Sequence, residues 1–269
     1  MSIPKRVAER LSSQLKRYAA ILSAAKDRDI NESDTVIIIA DMLSEVFGYK
    51  KHTEVTTEVE IRGTHVDLAI KVDDETRFLV EAKSINTTLK DNHVKQAIDY
   101  GANHGIEWVV LTNAVVWQIY KIHFRQPIDK TLVYEVNLLE INHRDRKAID
   151  CLAMLSREEF SKKTMTAFYQ QQEAVSRFSL AAAIESASVL KAMRKELKKM
   201  APRVSVTDDE LRQLLEKDVI KREIVESEET ARARAIFSKA ARVAARTKIV
   251  DTAGGAEGIG KPTPETSSS

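Results

Sequence analysis

The chain has 269 residues, of which 43% are hydrophobic and 30% charged, a balance that suits a soluble protein with one large core or two modest ones. It contains no run of about 18 apolar residues, so no membrane-spanning helix is predicted, and the opening Met1-Ser2-Ile3-Pro4-Lys5-Arg6 lacks the apolar stretch of a secretion signal, so a cytoplasmic location is expected. The 42 basic and 40 acidic residues nearly cancel, and the single Cys151 leaves no internal disulfide and no cysteine-rich zinc cluster to be made.

Apolar residues at helical spacing (Val7, Leu11, Leu15, Tyr18, Ile21, Leu22) predict an amphipathic helix from about Pro4 to Lys26. A second begins near Asn31-Glu32-Ser33-Asp34, where a capping side chain and acids suit a helix N-terminus, and it stops at Gly48. The period then changes. Val55 to Ile61, His65 to Val72 and Arg77 to Lys83 are rich in β-branched residues and separated by Arg62-Gly63 and Asp73-Asp74-Glu75, so they read as an antiparallel meander. A helix is predicted over about Asp91 to Asn103, closed by Gly105, and Trp108 to Leu111, Val115 to Ile122 and Leu132 to Val136 return to strand character. Trp108 and Trp117 fall within these strands and are expected to pack in the core. His65, His93 and His104 carry no ligand spacing and are expected to play ordinary polar roles.

Beyond about His143 strand signals cease. Helices are predicted near Arg144 to Leu155, Glu158 to Glu185, Ala187 to Met200, Thr207 to Asp218 and Arg222 to Lys248, with Ala201-Pro202 as a break. Leu190, Met193, Leu197 and Met200 follow helical spacing, as in a bundle or coiled-coil seam, and self-association into a homo-oligomer through these helices is an expectation. From Ala231 to Val250 the basic residues Arg232, Arg234, Lys239, Arg242, Arg246 and Lys248 occur with no acid among them; this is a solvated helix face or a phosphate-binding arm, for which Arg232, Arg234, Lys239, Arg242 and Arg246 are the candidates. The Gly-, Pro-, Thr- and Ser-rich end should be disordered. The expected organisation is therefore a mixed α/β (α+β) sheet domain over residues 1–140, an all-helical region over 141–250, and a tail over 251–269.

Chemistry is concentrated on the second and third strands. Side chains alternate faces along a strand, so Glu81 and Lys83 share a face, with Val80 and Ala82 on the other. A hairpin turning around Asp74 brings Asp67 opposite Glu81, on the face of His65, Ala69 and Leu79; Val66, Leu68 and Ile70 then join Phe78, Val80 and Ala82 on the opposite face. Carboxylates roughly 5 Å apart on neighbouring strands repel unless a cation or proton intervenes. A hard divalent ion such as Mg²⁺ (or Mn²⁺) takes one or two carboxylates and completes its shell with water and phosphate oxygens, and Lys83 beside it suits phosphodiester hydrolysis.

These features resemble the PD-(D/E)xK nuclease superfamily, and within it the N-terminal nuclease domain of type I restriction enzyme R subunits. The matching residues are Asn31-Glu32-Ser33-Asp34-Thr35, Phe47-Gly48-Tyr49, Val66-Asp67-Leu68, Val80-Glu81-Ala82-Lys83 and Gln96-Ala97-Ile98-Asp99-Tyr100, the last in the place of a QxxxY element. The resemblance covers roughly residues 10 to 140. It implies a restriction-endonuclease-like fold, a metal-dependent deoxyribonuclease of endonuclease type, Asp67 and Glu81 as metal ligands with Glu32 as a further acid, and Lys83 as catalytic lysine. It also implies that Gln96 and Tyr100 support the site, four residues apart on one helix face. Asp34, Asp41 and Glu45 lie on the same predicted helix as Glu32 and compete for its assignment. Val66 stands where the superfamily has Pro, and no GxxxxGK[ST] phosphate loop is present, so no ATP-driven motor is expected of this chain by itself. No recognition domain is apparent either, so DNA is the expected partner and any sequence specificity would come from a partner protein. A catalytically inactive nuclease-fold module that binds nucleic acid or protein is the alternative.

Overall fold

The computed structural model describes residues 3–61, 64–124, 126–142, 145–203 and 205–253, with side chains at 58–61, 64–65, 147, 162 and 243–253 excepted. The chain divides into two compact units, Met1–Gln171 and Gln172–Ser269.

The first unit opens with α1 (Lys5–Asp27), which buries Val7, Leu11, Leu15, Tyr18 and Leu22 along one stripe. Helix α2 (Glu32–Glu45) starts where the Asn31 side chain accepts a hydrogen bond from the Asp34 amide, satisfying one of the amides a helix N-terminus leaves unpaired. It is followed by Gly48 in a left-handed conformation, φ +85°. The strands are β1 (Val55–Ile61), β2 (Thr64–Val72), β3 (Glu75–Ala82), β4 (Trp108–Thr112), β5 (Val116–His123) and β6 (Asp129–Asn137), and they pair in sequence order into one six-stranded sheet. Every neighbouring pair is antiparallel except β3 and β4. That parallel pair needs a crossover. A 3₁₀ turn over Asp91–Val94 and α3 (Lys95–His104) supply it, ending at Gly105, φ +70°.

The sheet is covered on both faces, and the alternation of its strands decides what goes where. Leu68, Ile70, Phe78, Val80, Ala82, Val110, Trp117 and Ile119 join α1 and α2 in the main core. Ala69, Leu79, Val109, Leu111, Tyr120 and Ile122 pack with Ala97, Ile98 and Tyr100 of α3 in a second. Trp108 and Trp117 are both buried, as their strand placement predicts. Val66 departs from the expected alternation: at the start of its strand it joins the α3 cluster instead of following Leu68 and Ile70.

This unit continues past residue 140, where the loss of strand character put a boundary. Helix α4 (Arg146–Ala153) and the turn after it bury Ile149, Leu152, Met154 and Leu155 in the main core, and Met165 and Phe168 of α5 (Lys162–Ala174) follow. Composition registers the switch from strand to helix; it does not register whose core the helix completes.

The second unit contains α6 (Arg177–Ile184), α7 (Ala187–Met200), α8 (Asp208–Leu214), a π-helical turn (Leu215–Val219), α9 (Arg222–Val225) and α10 (Glu228–Ala253). The helix predicted from Glu158 to Glu185 is thus two helices, interrupted at Ser176, whose side chain accepts from the Ser179 amide and starts α6. Leu190, Leu211 and Leu215 form a small core with Met193 and Leu197 against it, whereas Met200 is exposed. Of the tail expected from residue 251, α10 takes in the part up to Ala253; the rest lies outside the described residues.

Candidate active site

The hairpin β2–β3 is the foundation of the site. Its turn uses Asp73 and Asp74, both left-handed at φ 52° and 62°, a turn that matches the twist of antiparallel strands. Next to the turn the pairing is Lys71↔Thr76 and Val72↔Glu75; a register shift between Ile70 and Lys71 then gives Ile70↔Phe78, Ala69↔Leu79 and Leu68↔Val80. One step further in that register, Asp67 stands level with Glu81. Without the bulge, every pair beyond it would slip by one residue and Glu81 would lose its partner.

The Asp67 carboxylate is fixed by the Ala82 amide, which donates to Oδ2 at 2.7 Å. Glu81 is only 8% exposed, and its Oε1 accepts from Lys83 Nζ at 2.8 Å. The ammonium also donates to the Ala82 carbonyl at 2.7 Å and lies 3.6 Å from Glu32 Oε2, at the first residue of α2. The Lys83 amide donates to the Thr112 carbonyl of β4, which holds the end of β3 in place.

Two carboxylates therefore contact one ammonium, with Asp67 aligned beside Glu81, a formal excess of two negative charges. Burial pushes the Glu81 carboxyl above its ordinary value, and the Asp67 and Glu32 charges add to this against the pull of Lys83. Lys83 is also held above its ordinary value: burial acts against its charge, but the hydrogen bond it donates to Glu81 and the charges of Glu81, Glu32 and Asp67 outweigh it. Burial first and crowded negative charge after it raise Glu81, the same charge raises Lys83, and that charge is what a divalent cation would neutralise. Among the described residues no three His, Cys, Asp or Glu side chains converge as a complete ligand set. Asp67 and Glu81 are then the pair available to a cation, a number of carboxylates that suits Mg²⁺.

Glu32 is distinguished from Asp41 and Glu45 by where those two acids are spent. Asp41 pairs with Lys51, and Glu45 pairs with Arg17 and accepts from the Tyr18 hydroxyl at 2.8 Å. The two α3 candidates are treated differently by the fold. Gln96 is exposed, while Tyr100 is buried in the α3 cluster with its ring stacked on His104 at 4.4 Å. Spacing of four residues gives a shared helix side, but it does not determine depth.

Two groups escaped the sequence reading. Asn113 accepts from the Val115 and Val116 amides and donates to the Thr87 carbonyl at 3.0 Å, tying the β4–β5 turn to the chain leaving the site. Register also aligns Glu81 with Leu111, Leu111 with Gln118 and Gln118 with Glu135, so a row across the sheet extends from the carboxylates to the buried Gln118. Its amide donates to Glu135 at 2.5 Å and accepts from Tyr120 at 3.0 Å. The available signal was a lone amide in the otherwise apolar run from Val116 to Tyr120.

The basic candidates of α10 are divided as well. Arg234 makes a two-pronged ion pair with buried Glu185, at 2.6 and 2.8 Å, and a third bond to Glu216 at 3.0 Å. Arg232 pairs with Glu228 on the surface at 3.0 Å, Lys239 and Arg242 are exposed, and the Arg246 side chain lies outside the described residues.

The first unit is thus an α/β domain, a six-stranded mixed sheet between helices, with opposed carboxylates and a lysine at the end of its parallel pair. Residues 38–133, from within α2 into β6, match the family model of the type I restriction enzyme R protein N terminus, and this part of the chain is similar to that domain. The match takes in Asp67, Glu81, Lys83, Gln96 and Tyr100; Glu32 and the helical second unit fall outside it. No curated protein and no solved structure matches the chain. No helix among the described residues is long and apolar enough to cross a membrane.

Proposed function

We propose that the chain is a metal-dependent nuclease of the PD-(D/E)xK type that hydrolyses internal phosphodiester bonds of DNA, in restriction or defence against foreign DNA. The observation that carries this reading is the alignment of Asp67 with buried Glu81, with Lys83 donating to Glu81, inside the segment that matches the restriction enzyme family. Asp67 and Glu81 would hold Mg²⁺ or Mn²⁺, which supplies charge for a scissile phosphate and a bound water acidic enough to attack it. The Ala82 amide keeps Asp67 oriented toward β3. Lys83, as an ammonium, donates hydrogen bonds and offsets negative charge that grows on the phosphate. Gln96 on the exposed side of α3 supports substrate geometry, and the buried Tyr100 positions that helix against the sheet.

The test is cleavage of circular and linear duplex DNA by Asp67→Ala, Glu81→Ala and Lys83→Ala. Each should lower the rate by on the order of 10²-fold or more while the circular dichroism spectrum stays that of the wild type. A second reading rests on the Lys83–Glu81 bond itself, which is also what a structural ion pair would show: an inactive nuclease-fold module that binds nucleic acid or a protein partner. Under that reading the three variants bind their partner as the wild type does, and no cleavage exists to lose.

A further inference from the structure

Helix α10 carries its basic residues in an arrangement that packing does not explain. Its first turns are anchored: Thr230 and Ala233 are buried, and Arg234 is held by Glu185 and Glu216. From Ala235 to Arg242 every residue is exposed, so this length of helix buries no face. A helix of that kind draws no stability from tertiary contacts and relies on oppositely charged pairs three or four residues apart. The sequence denies it those pairs, because residues 231–250 contain no acid, and Lys239, Arg242 and Arg246 succeed one another at spacings of three and four, where like charges repel.

Helical geometry sorts these positions. At 3.6 residues per turn, positions 232, 239 and 242 fall within an arc of about 80° and span about 15 Å. Position 234, the anchored one, lies on the far side. The Arg232–Glu228 pair is exposed on both sides, so solvent screens it and Arg232 stays within reach of another anion. Over about 15 Å, one strand of duplex DNA presents about four phosphates.

We infer that the projecting half of α10 is a polyanion-binding arm whose stripe of Arg232, Lys239 and Arg242 tracks the phosphate backbone of DNA, independently of sequence, for the nuclease proposed above. The charge of the stripe selects this occupant over a second copy of the chain, because two such stripes side by side repel.

The experiment measures binding of the full chain to a fluorescently labelled 30-base-pair duplex over a range of salt, in EDTA so that no cleavage occurs. Wild type is compared with R232Q/K239Q/R242Q and with K191Q/K195Q/K198Q, which removes the same charge from α7. The stripe variant should raise Kd roughly tenfold or more and lower the slope of log affinity against log salt by about 2.7, with helix content unchanged; the α7 variant should change neither by as much. Equal losses in both variants, an unchanged slope in the stripe variant, or no duplex binding by the wild type would overturn the arm. So would a change in sedimentation of the stripe variant without a change in DNA affinity, which would assign the surface to self-association. Cleavage in Mg²⁺ at saturating DNA separates the two claims: cutting with stripe-independent binding leaves the nuclease and removes the arm, and stripe-dependent binding without cutting does the reverse.

Discussion

Lys83 has Glu81 at 2.8 Å and Glu32 at 3.6 Å, and the second of these contacts brings an α2 acid to the proposed site. Glu32→Gln is expected to lower cleavage by about 10- to 100-fold, the usual effect of removing a supporting group beside a metal site. Glu45→Gln, which breaks pairs with Arg17 and Tyr18 only, should leave cleavage unchanged in the same assay. Equal losses in the two variants would place the effect in α2 as a whole. Strand alternation made the shared face of Glu81 and Lys83 legible in the sequence, and a hairpin centred on Asp74 gives the alignment of Asp67 with Glu81 that the structure reaches through a turn at Asp73 and Asp74 plus a bulge. The choice among Glu32, Asp41 and Glu45 was not legible, since it depends on Arg17, Tyr18 and Lys51, residues whose positions only the packed helices define. The different depths of Gln96 and Tyr100 were hidden for the same reason.

Among the elements, the β2–β3 hairpin joins sequence to site most directly. Its turn forces Asp73 and Asp74 into left-handed backbone, a conformation that costs an ordinary L-residue roughly 1–2 kcal/mol and glycine almost nothing. Asp74→Gly should therefore raise Tm, through a stabilisation of up to about 1 kcal/mol, and leave cleavage intact; Asp74→Val should lower both stability and, through loss of register at Glu81, activity. Calorimetry beside the cleavage assay checks the pair, and a Val variant that is less stable yet fully active would disconnect the turn from the site. Strand positions were readable from β-branched runs and turn residues. The bulge at Ile70/Lys71 was not, because one extra residue in a strand leaves the alternation on either side looking normal. In the helical half the interruption at Ser176 was masked by Ala- and Leu-rich neighbours that continue the helical period, and the break at Ser227 was masked by good helix formers on both sides.

Across the first unit, the chain after β6 is fastened back to the segment before β1. Arg157 donates to both carboxylate oxygens of Glu54 at 2.8 Å, and its amide donates to the Phe47 carbonyl; Glu54 also accepts from the Lys50 amide at 2.9 Å. The Arg157 hydrogen bond, above all, holds the Glu54 carboxyl below its ordinary value of 4.5. A carboxyl lowered by folding adds stability in full above its unfolded value and loses it as pH falls through the folded one. Glu54→Gln is thus expected to cost roughly 1–3 kcal/mol at neutral pH, with the Tm gap to wild type narrowing below about pH 4. A gap that stays constant with pH would show that the latch acts through packing alone. This latch, with Ile149, Leu152 and Leu155 in the core, explains why the first unit reaches Gln171, well past the last strand.

The central claim is that Asp67, Glu81 and Lys83 cut DNA with the help of a divalent cation. Incubation of the purified full chain with supercoiled plasmid in Mg²⁺, in Mn²⁺ and in EDTA, beside Lys83→Ala, tests it most directly. Nicking or linearisation that requires the cation and disappears in the variant is the predicted result; a folded wild type that leaves the plasmid intact under every condition, or a variant that cuts as fast as the wild type, would contradict it.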